Sequence, residues 1–137
     1  MAVDPKKIRD MLVVDEAEIA ERMLQRIQVH IGLTPKGLVH IRDPEKYRQR
    51  DRILLYLIGV RYSADAKMRE SDAASLAEMC ETLGLDSRVT TARLTELKNE
   101  GKVESQARGE YRIVFPRLAQ ILNEIDEEVG APTVRGG

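Results

Sequence analysis

The chain has 137 residues, 42% hydrophobic and 33% charged, with a formal net charge of −1. That composition suits one globular core with room for a small accessory unit. It excludes a membrane-spanning helix, because the longest apolar run, Ile53–Val60, covers about two helical turns where a bilayer needs roughly 20 residues.

The N-terminal stretch Met-Ala-Val-Asp-Pro-Lys-Lys lacks the apolar centre of a signal peptide, and the single cysteine, Cys80, has no internal partner for a disulfide. Both features fit a cytoplasmic location. Asp4-Pro5 opens a helix with a capping side chain followed by proline at the first helical position. Ile8, Met11 and Leu12 fall on one face of it. A second start follows at Asp15, with Glu18 completing a capping box, and Ala20, Met23, Leu24 and Ile27 recur at helical spacing to about Gln28. Nothing between the two pieces forbids one long helix. It is amphipathic and needs cover, from the main domain or from a second subunit.

In Val29–Ile41, Thr34-Pro35-Lys36-Gly37 suits the turn of a three-residue hairpin loop between short strands. The only histidines, His30 and His40, lie on its arms as diagonal neighbours, about 7–8 Å apart. No cysteine or acidic residue stands beside them at zinc spacing, so they read as strand histidines at a surface or interface, and no metal is expected.

Asp43-Pro44 predicts a helix to about Tyr62. Its first half is basic (Lys46, Arg48, Arg50, Arg52), and its second half, Ile53–Val60, is apolar nearly all round, as befits the middle of a core. Ser63–Asp72 is a polar connection. Ser75 and Glu78 form the next capping box. Leu83-Gly84-Leu85 is a tight turn, and Asp86 stands where an N-cap belongs. Helix formers run from Ser87 to Glu100, Gly101 stops them, Val103 opens a strand, and Gly109 marks a turn. Tyr111, Ile113 and Phe115 then alternate with polar residues, as in a half-buried strand. Pro116–Val129 is a last helix with Leu118, Ile121, Leu122, Ile125 and Val129 on one face, and Ala131–Gly137 is expected to be disordered. The fold class is mostly α with a small β element.

Three motifs within this stretch go together: Met79-Cys80-Glu81-Thr82-Leu83-Gly84-Leu85 before the turn, Leu94-Thr95-Glu96-Leu97 in the second helix, and Glu100-Gly101-Lys102-Val103 at its exit. They resemble the winged helix-turn-helix of MarR-type and ArsR-type repressors, in which Leu-Ala-x-x-Leu-Gly-Leu precedes the turn and a Leu-x-x-Leu helix leaves through Glu-Gly into a wing. The resemblance implies a winged helix-turn-helix core at residues 43–115. Around it lie an N-terminal helix and β-hairpin at 1–42, a C-terminal helix at 116–130 and a tail at 131–137. It also implies a short strand before the motif, for which Met68-Arg69 is the candidate. Cys80 replaces the family's small alanine. It reads as a small buried hydrophobe, since no second cysteine or basic cluster would make it a redox sensor.

The function implied is that of a sequence-specific regulator binding double-stranded DNA, without a cofactor, as a homodimer through its N- and C-terminal helices. At 100° per residue, Thr90, Leu94, Leu97 and Gly101 face inward. Arg88, Thr91, Ala92, Thr95 and Asn99 face outward, with Ser87 and Lys98 at the edge. The expected DNA contacts are Ser87, Arg88, Thr91, Ala92, Thr95 and Lys98, joined by Arg108 and Arg112 of the wing. Charge opposes this. From Asp86 to Arg112, six positive residues less five negative ones leave +1, so Glu96, Glu100 and Glu110 must point away from phosphate. The near-neutral balance favours an alternative, a winged-helix scaffold that binds proteins. No enzyme is expected, because the chain has no phosphate-cradling glycine loop, metal-ligand cluster or nucleophile–base spacing. No residue identifies a small-molecule effector.

Overall fold

The computed structural model describes residues 2–130, and these are mostly α-helical with two small antiparallel sheets. In chain order they form α1 (Pro5–Leu12), α2 (Glu16–Gln28), β1 (Ile31–Leu33), β2 (Val39–Ile41), α3 (Gln49–Asp65), β3 (Ala74–Ser75), α4 (Leu76–Leu83), α5 (Ser87–Asn99), β4 (Val103–Ala107), β5 (Glu110–Ile113) and α6 (Leu118–Glu128). Single 3₁₀ turns at Pro44–Lys46 and Phe115–Arg117 lead into α3 and α6. The tail expected to be disordered lies outside the described residues.

α3 is the axis of the molecule. Ile53, Leu55, Leu57, Ile58 and Val60 are wholly excluded from solvent, as a run without a polar side requires. One core gathers around them from segments along the chain: Met23 and Ile27 of α2, Ile31 and Ile41 of the hairpin, Leu94 and Leu97 of α5, Ile113 of β5, and Leu118, Ile121, Leu122 and Ile125 of α6. Fully burying such a side chain contributes roughly 1.5–3 kcal/mol. The β1–β2 hairpin lies close against α3 because Gly59 has no side chain. A Cβ there would sit 2.6 Å from Val39 Cγ1.

The two N-terminal helix starts read from the sequence give two separate helices: Val13 is extended and Asp15 caps α2 by accepting from the amides of Ala17 and Glu18. No residue of α1 is buried, and Met11 and Leu12 are 71% and 74% exposed. Three features differ from the sequence-based expectation. α3 begins at Gln49, not Asp43. Asp43 adopts φ 56° and caps nothing, while Tyr47 is extended and drops its ring into the core. Tyr47 meets Nδ1 of His30 at 2.6 Å, and burial pushes its phenol up to about 12. The short strand is Ala74–Ser75, not Met68-Arg69. Arg69 instead donates to the carbonyls of Ser71 and Ala73 and pairs with Glu78, which shapes the loop that delivers β3. The two histidines do not share surroundings. His30 is buried between Tyr47 and Asp126, and His40 is exposed.

β5 lies between β3 and β4 in a three-stranded antiparallel sheet. β3 pairs Ala74 with Tyr111 and Ser75 with Glu110, and the Leu76 amide extends the contact to the Gly109 carbonyl. The hairpin β4–β5 carries a bulge between Ser105 and Ala107. Among the described residues no helix is long and apolar enough to cross a membrane.

Candidate nucleic-acid interface

α4 and α5 are set by local chemistry. Ser75 caps α4 by accepting from the Glu78 amide, Gly84 ends it at φ 69°, and Asp86 caps α5 through the Val89 amide at 2.8 Å. Cys80 is half-buried where the two helices touch, with Sγ 3.5 Å from Thr90 Oγ1. Thr90, Leu94 and Leu97 hold the inner face of α5 in the core. Its C-terminal exit closes as the Lys102 amide returns to the Leu97 carbonyl.

The outer face of α5 is open. Ser87, Arg88, Thr91, Ala92, Thr95, Lys98 and Asn99 are all exposed, and among the described residues none is covered by another element. Among the described residues, Arg88 and Lys98 make no ion pair. The Thr95 hydroxyl donates to its own helix at the Thr91 carbonyl, 3.0 Å away, so its methyl and its acceptor lone pairs are what it presents outward. Arg108 stands exposed at the tip of the β4–β5 turn, beside Gly109.

Arg112 does not join this group. The bulge sets it opposite Glu104, to which it donates at 2.7 Å, with Asp72 3.7 Å away on the other side. Those carboxylates raise its pKa and neutralise its charge, the Glu104 hydrogen bond first among them.

The acids of α5 are drawn to a different side. Glu96 pairs with Arg93 at 2.9 Å and lies 3.9 Å from Arg50. Glu100 receives a two-pronged contact from Arg50 of α3 and an ion pair from the Lys102 ammonium, 2.9 Å away. The Arg50 hydrogen bonds, aided by Lys102, bring the Glu100 carboxyl down to about 2. Lys102 is itself buried and also bonds Glu124 of α6, so this polar chain ties α3, α5, the head of β4 and α6 together. Glu110 remains exposed near the turn.

A second, half-buried polar set links α2, α3's approach and α6. His30 bonds Asp126 at 2.9 Å through Nε2, and Arg26 bonds the other oxygen of Asp126 at 2.9 Å. On α4, burial opposes ionised Glu78, yet hydrogen bonds from Arg69 and Tyr56 hold it below the usual carboxylate range. The Tyr56 phenol is pushed up to about 12, mainly by burial. Sequence reasoning missed these partners. They lie nine to a hundred residues apart, and neither periodicity nor capping marks such pairs. No group of three or more His, Cys, Asp or Glu among the described residues could hold a metal ion. Set against protein-family models, curated proteins and solved structures, the chain matches none.

Proposed function

We propose that the chain is a cytoplasmic winged helix-turn-helix regulator that binds specific sequences of double-stranded DNA as a pair of identical copies. α5 enters the major groove and the β4–β5 turn meets the minor groove or the backbone. The observation that carries this reading is the outer face of α5, polar and uncovered, with Arg88 and Lys98 unneutralised while Glu96 and Glu100 are engaged elsewhere. The element order α3, β3, α4, α5, β4, β5, with β5 central in its sheet, supports the winged form.

Each outward residue then has a distinct part. Arg88, in the first turn of α5, forks onto the two acceptors of a guanine. Ala92 lets the helix approach closely, and Thr91 and Thr95 offer methyl groups to thymine. Ser87, Lys98 and Arg108 hold phosphate and set the register. Selection of bound fragments from random duplexes, followed by titration over increasing salt, tests this. Arg88→Ala should cost about 1–3 kcal/mol and relax preference at one base pair. Lys98→Ala and Arg108→Ala should weaken all sequences alike. Absence of duplex binding at low salt, or binding indifferent to salt, overturns the reading.

The scaffold alternative draws on the hairpin. With Arg112 paired and Glu110 exposed, the β4–β5 surface is close to neutral, which suits a protein neighbour better than phosphate. Failure of DNA selection together with loss of a protein complex in Arg88→Ala would move that alternative to first place.

A further inference from the structure

The β4–β5 hairpin carries a residue that its partner strand does not match. Ser105 stands opposite Tyr111 and Ala107 opposite Glu110, so Gln106 has no counterpart in β5. The turn gives the reason. Gly109 takes φ 74°, but Arg108, the first of the two loop residues, is not at positive φ. The hairpin turns that follow the strand twist need positive φ at that first residue, and other turns splay the strands. An extra residue in β4 adds back the twist, bends the strand and re-aims the side chain it frees. Gln106 is exposed, two residues from Arg108. Among the described residues, the side-chain hydrogen bond within the hairpin joins Arg112 to Glu104 at 2.7 Å, and the Gln106 amide takes no part in it. With Arg112 committed and Glu110 an exposed carboxylate, Gln106 is the hairpin's free amide, a group with two donors and an acceptor.

We infer that Gln106 is a further specificity-determining residue, which reads base edges in the minor groove beside the phosphate contact of Arg108. The inference rests on the duplex-binding reading above. An A·T pair shows the minor groove two acceptors, adenine N3 and thymine O2, and a G·C pair adds the guanine N2 amino group. An amide NH2 donating to the acceptors is obstructed by that amino group, so the hairpin selects A·T pairs. The side chain is neutral, so it contributes preference without adding to the salt dependence.

The test uses the full-length chain and the duplex obtained by selection, with 2,6-diaminopurine replacing adenine at each A·T pair flanking the α5 contacts in turn. That base adds the minor-groove amino group and leaves the major-groove edge as it was. The natural chain should lose about tenfold in affinity at one such pair. Gln106→Ala and Gln106→Met, the second keeping the length of the side chain, should bind the unsubstituted duplex about tenfold more weakly and be indifferent to the added amino group. Both should keep the natural salt slope, whereas Arg108→Ala should lower it. Helical circular dichroism should stay unchanged, since Gln106 is exposed. Variants that respond to diaminopurine as the natural chain does, a natural chain indifferent to it, or G·C pairs selected at the flanking positions overturn the inference and leave reading by α5 standing. Absence of duplex binding overturns both.

Discussion

Glu100 answers to two cations, and the consequence is readable in acid. A carboxylate held down to about 2 in the folded chain adds stability that is complete above its ordinary value of 4.5 and is lost as the pH falls toward 2. Glu100→Gln should therefore flatten the acid limb of the urea midpoint between those values while lowering the plateau above them only modestly, because the side chain is 38% exposed and its pairs are screened by water. An acid limb as steep as the parent's would mean that other carboxylates dominate. Gly59 tests packing instead of charge. Alanine there drives a methyl group into Val39, so Gly59→Ala should cost about 1–3 kcal/mol in chemical unfolding, despite alanine's better helix propensity. At Arg112 a single backbone irregularity decides the role of a side chain. An unbroken hairpin pairing Ala107 with Glu110 would place Ser105 opposite Arg112. The bulge shifts the register by one and brings Glu104 there, which is why the sequence makes this arginine look free for DNA.

Among the elements, α5 depends most visibly on its first turn. Asp86→Ala removes the acceptor of the Val89 amide and should cost about 1 kcal/mol in thermal unfolding. It should also loosen the turn that carries Ser87 and Arg88, so DNA affinity should fall more than for a substitution at the exposed Asn99. The run from α4 through the β4–β5 hairpin was legible in the sequence because every boundary has a local cause: Ser75, Gly84, Asp86, Gly101 and Gly109 act through their own backbone neighbours. The outward set on α5 was legible for the same reason, since helical periodicity alone sorts faces. What escaped depends on distant partners. Asp43-Pro44 looks like a helix start, yet Tyr47 is claimed by His30, and the helix waits until Gln49. β3 has two residues and no alternation, and exists because Tyr111 and Glu110 pair with it. The open side of α1 also escaped, as amphipathic spacing states that a face wants cover without stating where the cover is.

For the molecule as a whole, salt dependence is the broadest check on the proposed function. Lys98 and Arg108 are the cations of the proposed surface assigned to phosphate, so the slope of log affinity against log salt should be about −2 per copy. A much steeper slope would show that further basic residues, outside α5 and the hairpin turn, approach the phosphates. The polar chain from Arg50 through Glu100 and Lys102 to Glu124 carries one more implication. It ties the C-terminal end of α5 to the central shaft and to the last helix, which opposes a change in its pitch alone. Under the proposed function, a signal that loosened the grip on DNA would act as one acts on callipers, by changing the gap between two rigid jaws. The span between half-sites, more than the angle of either jaw, then becomes the quantity a regulator could adjust.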